Sequence, residues 1–168
     1  MKRAKVSSPY DYVGSTRYVN FDTIRPVYVT SSNKCPVSHA VADTNSWEQK
    51  IAQVLEDIDP VISYVKNQGL GFLIPYSLGG RQRNYLPDFL VKFDDGHGQS
   101  DLLNLIVEVS GEKLKEKAAK VNTTRNLWLP AVNQHGGFGR WDFIEITDPW
   151  DAENTIFAYL SDLEKGGK

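Results

Sequence analysis

The sequence predicts a single α/β domain in which helices flank a central sheet. Segments with helical spacing of apolar residues alternate with short β-branched runs, in the order helix, three strands, helix, strand, helix. The chain has 168 residues, of which 40 % are hydrophobic and 24 % are charged. These values are typical of one globular domain and exclude disordered, collagen-like and disulfide-scaffold proteins.

Charge and cysteine content limit the classes of function that this chain can have. With 19 Lys and Arg residues against 21 Asp and Glu residues, the net charge is −2, so any binding of nucleic acid must come from a local basic patch. The single cysteine, Cys35, cannot form an internal disulfide, as is usual in a reducing cytoplasm. Because no apolar stretch approaches about 18 residues, we expect a cytoplasmic protein with no membrane span and no secretion signal.

The first part of the chain is predicted to be peripheral to the main domain. Residues 1–40 would form an N-terminal extension or peripheral strands, with short β-branched and aromatic runs at 17–21 and 26–30, and the domain itself would cover residues 41–168. An amphipathic helix is predicted from 46 to 66. Asp59-Pro60 would divide it, because proline lacks a donor but suits the first turn of a new helix.

Three strands, a helix, a strand and a helix are predicted to follow. The strands would lie at 72–76, 85–93 and 103–109, with a turn at Gly79-Gly80, and the near-continuous apolarity of the third indicates burial on both faces. A helix at 112–127 would end before Pro130, and a strand at 141–146 and a helix at 152–164 would complete the domain. The predicted inner side of the 112–127 helix comprises Leu114, Ala118, Val121 and Trp128.

Two acids interrupt these apolar strands. Asp88 lies in the second predicted strand after Pro87, and Glu108 lies in the third. A carboxylate in an apolar run is costly to desolvate, so a pair on adjacent strands indicates a divalent metal between them. Because side chains alternate along a strand, Ser110 shares a face with Glu108. The alternative, in which each acid caps a strand end or pairs with a surface lysine, suits a single acid better than a pair.

The residues around these acids resemble a known family. Pro87-Asp88 and Glu108-x-Ser110 resemble the PD-(D/E)XK nuclease signature, and the order of elements matches the core of that fold. From about residue 18 to 148, the chain resembles the C-terminal endonuclease domain of the restriction subunit of type III restriction-modification enzymes. The segments that carry this wider resemblance are 18–21, 46–48, 64–67, 70–76, 85–89, 130–133 and 138–141.

The resemblance implies a restriction-endonuclease-like core with a mixed central sheet, and hydrolysis of double-stranded DNA with Mg²⁺ or Mn²⁺. Asp88 and Glu108 would bind the metal, and Glu48 of the first helix would be an additional acid, the alternative being a solvated glutamate favoured by the helix dipole. The implied partners are the ATP-driven helicase portion of the restriction subunit and a methyltransferase modification subunit. No Walker lysine motif or helicase motif occurs in these residues, so both partners are expected elsewhere.

Ser110 departs from the family, which usually has lysine at this position. An ammonium would help to orient the attacking water and offset phosphate charge, whereas a hydroxyl carries no charge. Lys113, Lys117 and Lys120 form one stripe on the following helix, and we expect Lys113 first and Lys117 second to replace the missing lysine. The same three lysines are candidate DNA contacts, unless they form a solvated, salt-bridged helix face.

The sequence offers two further candidate phosphate contacts and two alternative functions. Arg81 and Arg83, ahead of the second predicted strand, are candidate phosphate contacts or residues of an exposed turn. The main alternative function is a catalytically decayed nuclease-fold module that binds DNA or docks an ATP-dependent motor, for which Ser110 is the best argument. A glycoside hydrolase with two carboxylates is the second alternative, although it explains neither the basic helix nor the family resemblance.

Overall fold

A four-stranded mixed sheet organises the fold, and helices cover both of its faces. The computed structural model describes residues 15–23, 25–41, 47–110 and 115–166. The strands are β1 (Val27–Val29), β2 (His39–Val41), β3 (Val61–Lys66), β4 (Ile74–Leu78), β5 (Arg81–Tyr85), β6 (Phe89–Phe93), β7 (Leu103–Val109) and β8 (Arg140–Ile146). The helices are α1 (Trp47–Asp57), α2 (Lys115–Thr123), α3 (Leu129–His135) and α4 (Ala152–Gly166).

The strand order of the central sheet is β3-β6-β7-β8. Its first two pairings are antiparallel, and β7 pairs with β8 in parallel. Two separate two-stranded sheets, β1–β2 and β4–β5, lie outside it. The predicted α/β class with a mixed central sheet flanked by helices is therefore confirmed. No helix in the described part of the chain combines the length and apolarity needed to cross a membrane.

Strand β7 separates two hydrophobic cores. Leu105 and Val107 face a core that includes residues of α1 and α4, whereas Ile106 faces a second core that includes residues of α3, β4 and β5. All three side chains are at most 1 % exposed. The predicted third strand and its burial on both faces are confirmed. Glu108 follows the alternation onto the face of Ile106.

The predicted helix at 46–66 is wrong in its second half. Helix α1 ends at Asp57, and residues 61–66 form β3, an edge of the central sheet. Pro60 lies between them, but it precedes a strand rather than a new helix. The run that follows contains three β-branched residues, Val61, Ile62 and Val65, which pack well on a pleated surface.

The next two predicted strands are also arranged differently. The segment predicted at 72–76 is β4, which pairs with β5 rather than entering the central sheet, and Gly79-Gly80 forms the predicted turn with φ values of 58° and 75°. We call this pair the β4–β5 ribbon. The strand predicted at 85–93 is divided into β5 and β6 around Pro87. Proline has no donor for a strand ladder, so it suits the crossing from the ribbon to the central sheet.

The helix predicted to end before Pro130 continues past it. Residues 115–135 are helical throughout, because a π-helical segment, Thr124–Trp128, joins α2 to α3. Pro130 lies directly after this π-helical segment, whose interruption of the regular α-helical hydrogen bonds accommodates a residue without an amide donor. Val121 and Trp128 pack inward as predicted, but Ala118 is exposed. Leu114 lies outside the described residues.

The C-terminal prediction is confirmed, with β8 and α4 close to their expected bounds. Strand β8 is an edge strand, and side chains cover part of its free edge. The Asn133 amide donates to the Trp141 carbonyl and accepts from the Trp141 amide, both at 2.8 Å. The Phe143 amide donates to Asp142 Oδ1 at 2.7 Å. Such contacts occupy backbone groups with which another chain could pair.

Glu56 attaches the N-terminal segments to the main core, in which Cys35 is buried. The predicted strand at 26–30 is confirmed as β1, whereas residues 17–21, expected as a strand or an extended arm, form no strand and begin in the 3₁₀ turn Thr16–Tyr18. The Glu56 carboxylate accepts from the Tyr28 hydroxyl at 2.8 Å, the Tyr64 hydroxyl at 2.6 Å and the Ser31 amide at 2.6 Å. Burial opposes ionisation, but these three hydrogen bonds outweigh it and lower the pKa of Glu56.

Replacing Glu56 should therefore lower the free energy of unfolding. Glu56→Ala leaves the buried Tyr64 hydroxyl without its acceptor, and we expect a loss of about 2 to 3 kcal/mol in urea unfolding at neutral pH. Because the pKa of Glu56 is lowered in the folded state, this difference should shrink as the pH falls through that pKa. Asp57→Ala is the matched control, since Asp57 is the exposed neighbouring acid. Equal stability of the two variants would contradict the role of Glu56.

Candidate active site

Asp88 and Glu108 lie side by side at one end of the central sheet. Phe89 pairs with Val107 across β6 and β7, so the next position along places Asp88 opposite Glu108. Asp88 Oδ2 accepts a hydrogen bond from the Val109 amide at 2.8 Å, and the charge of Asp88 acts on the Glu108 carboxyl. The structure therefore brings together the two acids that the sequence singles out.

The environment of this pair favours protonation. Burial and the neighbouring Asp88 charge raise the pKa of Glu108 to about 8, although hydrogen bonds from Tyr85 and the Asp88 backbone and the charge of Lys120 oppose the shift. Burial also raises the pKa of Asp88, and the charge of Glu48 adds to that increase. A metal cation that binds to these two acids would take the place of the proton that they hold. Strongly perturbed carboxyls are typical of functional sites.

Tyr85 orients Glu108 and was not singled out from the sequence. Its hydroxyl donates to Glu108 Oε2, and its side chain is 3 % exposed. Burial and the Glu108 charge raise the pKa of Tyr85 above its usual range, so the hydroxyl remains a donor. Tyr85 is the last residue of β5, immediately before the crossing to β6. The ribbon thus contributes directly to the site.

Lys66 is a second site residue that sequence reasoning missed. It ends β3, and its ammonium contacts Glu48 Oε2 and the Val41 carbonyl oxygen, the latter at 2.5 Å. The Glu48 side chain is 18 % exposed, so it is not the solvated glutamate of the alternative interpretation. The charge of Lys66 lowers the pKa of Asp88 while that of Glu48 raises it, which places the ion pair beside Asp88.

Ser110 and Lys117 meet at a third acid, Glu145 of β8. The Ser110 hydroxyl donates to Glu145 Oε1 at 2.5 Å, and the Lys117 ammonium forms a salt bridge with the same oxygen. Glu145 pairs with Glu108 across the parallel strands. Burial opposes ionisation of Glu145, but its hydrogen bonds from Lys117 and Ser110 lower its pKa. A lysine from α2 therefore reaches the position where the Ser110 side chain ends.

Lys120 brings a further positive charge to the site. Its ammonium lies 5.5 Å from the ring centroid of Tyr85 and 6.0 Å from that of Tyr76. Its charge lowers the pKa of Glu108, and it takes part in no salt bridge with the residues that the structure describes. Lys113, the first candidate to replace the missing lysine, lies outside the described residues.

The two candidate arginines are on β5. The Arg83 guanidinium donates to Glu116 Oε1 at 3.2 Å, which attaches the ribbon to α2. Arg81 is exposed beside the Gly79-Gly80 turn and has no hydrogen bond or ion pair from its side chain to any described residue. The structure thus leaves Arg81 available at the end of the ribbon, while Arg83 already has a carboxylate partner.

The donor set fits a hard cation such as Mg²⁺ or Mn²⁺ better than a softer one such as Zn²⁺. Within the described ranges, no group of three or more His, Cys, Asp and Glu side chains is arranged to hold a metal ion. Mg²⁺ needs no such group, since one or two carboxylates commonly hold it together with waters and substrate phosphates. The partly buried, mutually repelling carboxyls of Asp88 and Glu108 match that requirement.

Comparisons with known proteins do not assign the site. No family model, curated protein or solved structure matches this chain.

The raised pKa of Glu108 makes stability depend on pH. The folded protein holds this proton more tightly than the unfolded chain, so wild-type stability should fall as the pH rises from the ordinary glutamate value to about 8. Glu108→Gln has no such proton, so its stability relative to the wild type should increase over that interval. Urea unfolding with a chelator between about pH 5 and pH 9 measures this difference. The exposed control Glu153→Gln should show no such trend, and a flat difference for Glu108→Gln would contradict the raised pKa.

Proposed function

We propose that this chain is a metal-dependent DNA endonuclease domain with a restriction-endonuclease-like core. The observation that carries the proposal is the placement of Asp88 opposite Glu108 on adjacent strands, as two partly buried acids with raised pKa values. The order α1, β3, β6, β7, α2, β8 along the chain supports the PD-(D/E)XK core that the sequence resembles. Phosphodiester hydrolysis in such a site needs a divalent cation and positive charge around the phosphate.

Separate residues of the site would bind the cation and orient its ligands. Asp88 and Glu108 would hold Mg²⁺ or Mn²⁺, with Glu48 as an additional acid. When bound, the cation would stabilise the negative charge that develops on the phosphoryl oxygens. Tyr85 keeps Glu108 in one orientation, and the Val109 amide does the same for Asp88. Preorganised carboxylates need little rearrangement when the substrate arrives.

Lysines supply the positive charge that Ser110 cannot. Lys117 reaches the Ser110 side chain through Glu145 Oε1, and the charge of Lys120 acts on Glu108, while no described carboxylate forms a salt bridge with Lys120. We assign Lys117 to the role of the family lysine, with Lys113 as the other candidate, and Lys120 to phosphate binding. The ammonium groups of Lys117 and Lys120 are localised at the site, as a chain of net charge −2 requires.

The proposed setting is a type III restriction enzyme that cleaves double-stranded DNA in the cytoplasm. The helicase portion of the restriction subunit and a methyltransferase modification subunit would be its partners. A decayed module that binds DNA or docks the motor is the second candidate. It is favoured by the pairing of Lys66 with Glu48 and of Lys117 with Glu145, since both ammonium charges already have partners.

The metal assignment is tested by calorimetry. Asp88→Asn and Glu108→Gln each remove an anionic oxygen ligand with little change in volume, so each should abolish Mg²⁺ or Mn²⁺ binding while the fold is retained. Both variants should also lose Mg²⁺-dependent nicking of plasmid DNA. Glu153→Gln, an exposed acid on α4, is the matched control and should bind and cleave like the wild type. Wild-type metal affinity in both site variants would refute the proposed ligands.

The lysine assignment is tested by the rate of nicking. Lys117→Met or Lys113→Met should reduce the rate on the order of a hundredfold, if the ammonium supplies a few kcal/mol of transition-state stabilisation. Metal affinity should be largely retained, which separates this role from ligand binding. Lys165→Met, on an exposed part of α4, is the control.

Other outcomes would favour the decayed module. Unchanged nicking in both lysine variants would remove the proposed replacement for the family lysine. Activity gained by Ser110→Lys, where the parent protein has none, would show that the site lost its catalytic cation without replacing it. Metal binding without any cleavage by the wild-type chain would point the same way.

A further inference from the structure

Glu145 is placed beside the acid pair by the pairing of the two parallel strands. Strand β8 runs parallel to β7, and Glu145 lies opposite Glu108. Residues that pair across a sheet point to the same face, so Glu145 faces the side of the sheet that carries Asp88 and Glu108. The charge of Glu145 also raises the pKa of Tyr85, whose hydroxyl binds Glu108. The Glu145 carboxylate is therefore a neighbour of the proposed metal ligands.

This carboxylate holds two donors at one oxygen. Glu145 Oε1 accepts a hydrogen bond from the Ser110 hydroxyl at 2.5 Å and forms the salt bridge with the Lys117 ammonium. Two donors that share an oxygen lie within about 6 Å of each other, so the ammonium lies near the end of the Ser110 side chain. A lysine at position 110, as the family usually has, would extend toward the same carboxylate.

Burial makes the contact between Glu145 and Lys117 restrictive. The two side chains are 20 % and 18 % exposed, so neither moves freely in solvent. The long flexible stem of a lysine leaves its ammonium without a fixed position unless an acceptor holds it. Glu145 is a suitable acceptor because it lies on a strand of the central sheet, whereas Lys117 comes from α2, outside the sheet.

The salt bridge leaves the ammonium able to bind a second group. An ammonium has three N–H donors, and within the described residues the Lys117 ammonium contacts Glu145 Oε1 alone. Two donors therefore remain for a phosphate oxygen or for the attacking water. A charged group stabilises a transition state most when it is held in place before the reaction begins.

We propose that Glu145 is a positioning residue of the nuclease: it holds the Lys117 ammonium where the family lysine would lie, while Ser110 helps to fix the carboxylate. Glu145 acts through Lys117 and needs no contact with the DNA or the cation. Lys117 and a lysine restored at position 110 are then two ways to place one ammonium at the same carboxylate. This inference rests on the proposed nuclease function and on the role assigned there to Lys117.

The first test follows the ammonium itself, without DNA or metal. NMR relaxation of the ¹⁵N-labelled full chain reports how freely each lysine Nζ moves, and Lys117→Met identifies the signal of Lys117. This ammonium should be restrained in the wild type. In Glu145→Gln it should move as freely as the ammonium of the exposed Lys165. An ammonium that stays restrained in Glu145→Gln is held by another group, and the proposal is then wrong.

The second test is the rate of plasmid nicking with Mg²⁺. Glu145→Gln should lower kcat by about tenfold to a hundredfold with little change in KM for DNA, because the ammonium acts in the transition state. Asp95→Asn is the matched control. It breaks the ion pair with Arg140 at the opposite end of the sheet, and it should leave kcat unchanged. A wild-type kcat in Glu145→Gln would overturn the proposal.

Rescue separates positioning from a salt bridge that only joins α2 to β8. Lys117→Met should lose nicking, and Ser110→Lys/Lys117→Met should regain it by about tenfold, because an ammonium again lies at Glu145. Adding Glu145→Gln to this double variant should remove the regained activity. A purely structural salt bridge predicts no rescue by a lysine at position 110, so absence of rescue would contradict the proposal.

These results distinguish failure of this inference from failure of the proposed function. If the wild-type chain nicks DNA and Glu145→Gln does so equally well, the inference alone fails. If neither the wild type nor Ser110→Lys/Lys117→Met nicks DNA, the nuclease proposal fails, and the catalytic role of Glu145 fails with it, whatever the relaxation of the ammonium shows.

Discussion

The repulsion between Asp88 and Glu108 is the interaction around which the surrounding structure is arranged. Antiparallel pairing of β6 with β7 forces the two carboxyls together, and burial makes their charges costly. Hydrogen bonds from Tyr85 and the Val109 amide offset part of that cost. The remaining cost is one that a bound cation would relieve. Relief of this cost would add to the affinity for a cation, and functional sites commonly lower the stability of the fold in this way.

The lysine side chains near this pair come from two different elements of the fold. Lys66 belongs to the edge strand β3, whereas Lys117 and Lys120 belong to α2, which follows β7. Each lysine is restrained by a different contact: Lys66 by Glu48, Lys117 by Glu145, and Lys120 by two tyrosine rings. The charge around the site thus depends on tertiary packing rather than on one basic segment. This arrangement brings three ammonium groups to the acids of the site in a chain whose net charge is −2.

Local sequence signals predicted the third strand, the C-terminal strand and helix, and the pairing of Asp88 with Glu108. These features follow from strand alternation and from acids in apolar runs, which are visible within a few residues. Lys66 was missed because Ile58 and Ile62 continue the helical spacing of α1 past its end, so a strand was read as helix. The run Val61, Ile62, Ser63, Tyr64, Val65 was the signal that could have corrected this. Glu145 and Tyr85 could not be found locally, since only tertiary pairing brings them to Glu108.

The π-helical segment between α2 and α3 links the site to the second core. A π turn holds one residue more than the α-helical turn it replaces, so it changes the phase between the helix halves by about 100°. Lys117 and Lys120 point to the site from one half, while Leu129 and Val132 pack in the core from the other. A single-residue deletion within Thr124–Trp128 would restore ordinary helix and preserve both halves, yet turn the lysines away from Glu145 and Tyr85. Insertions and deletions in this short stretch are therefore constrained by the chemistry of a site whose lysines lie in the preceding helix.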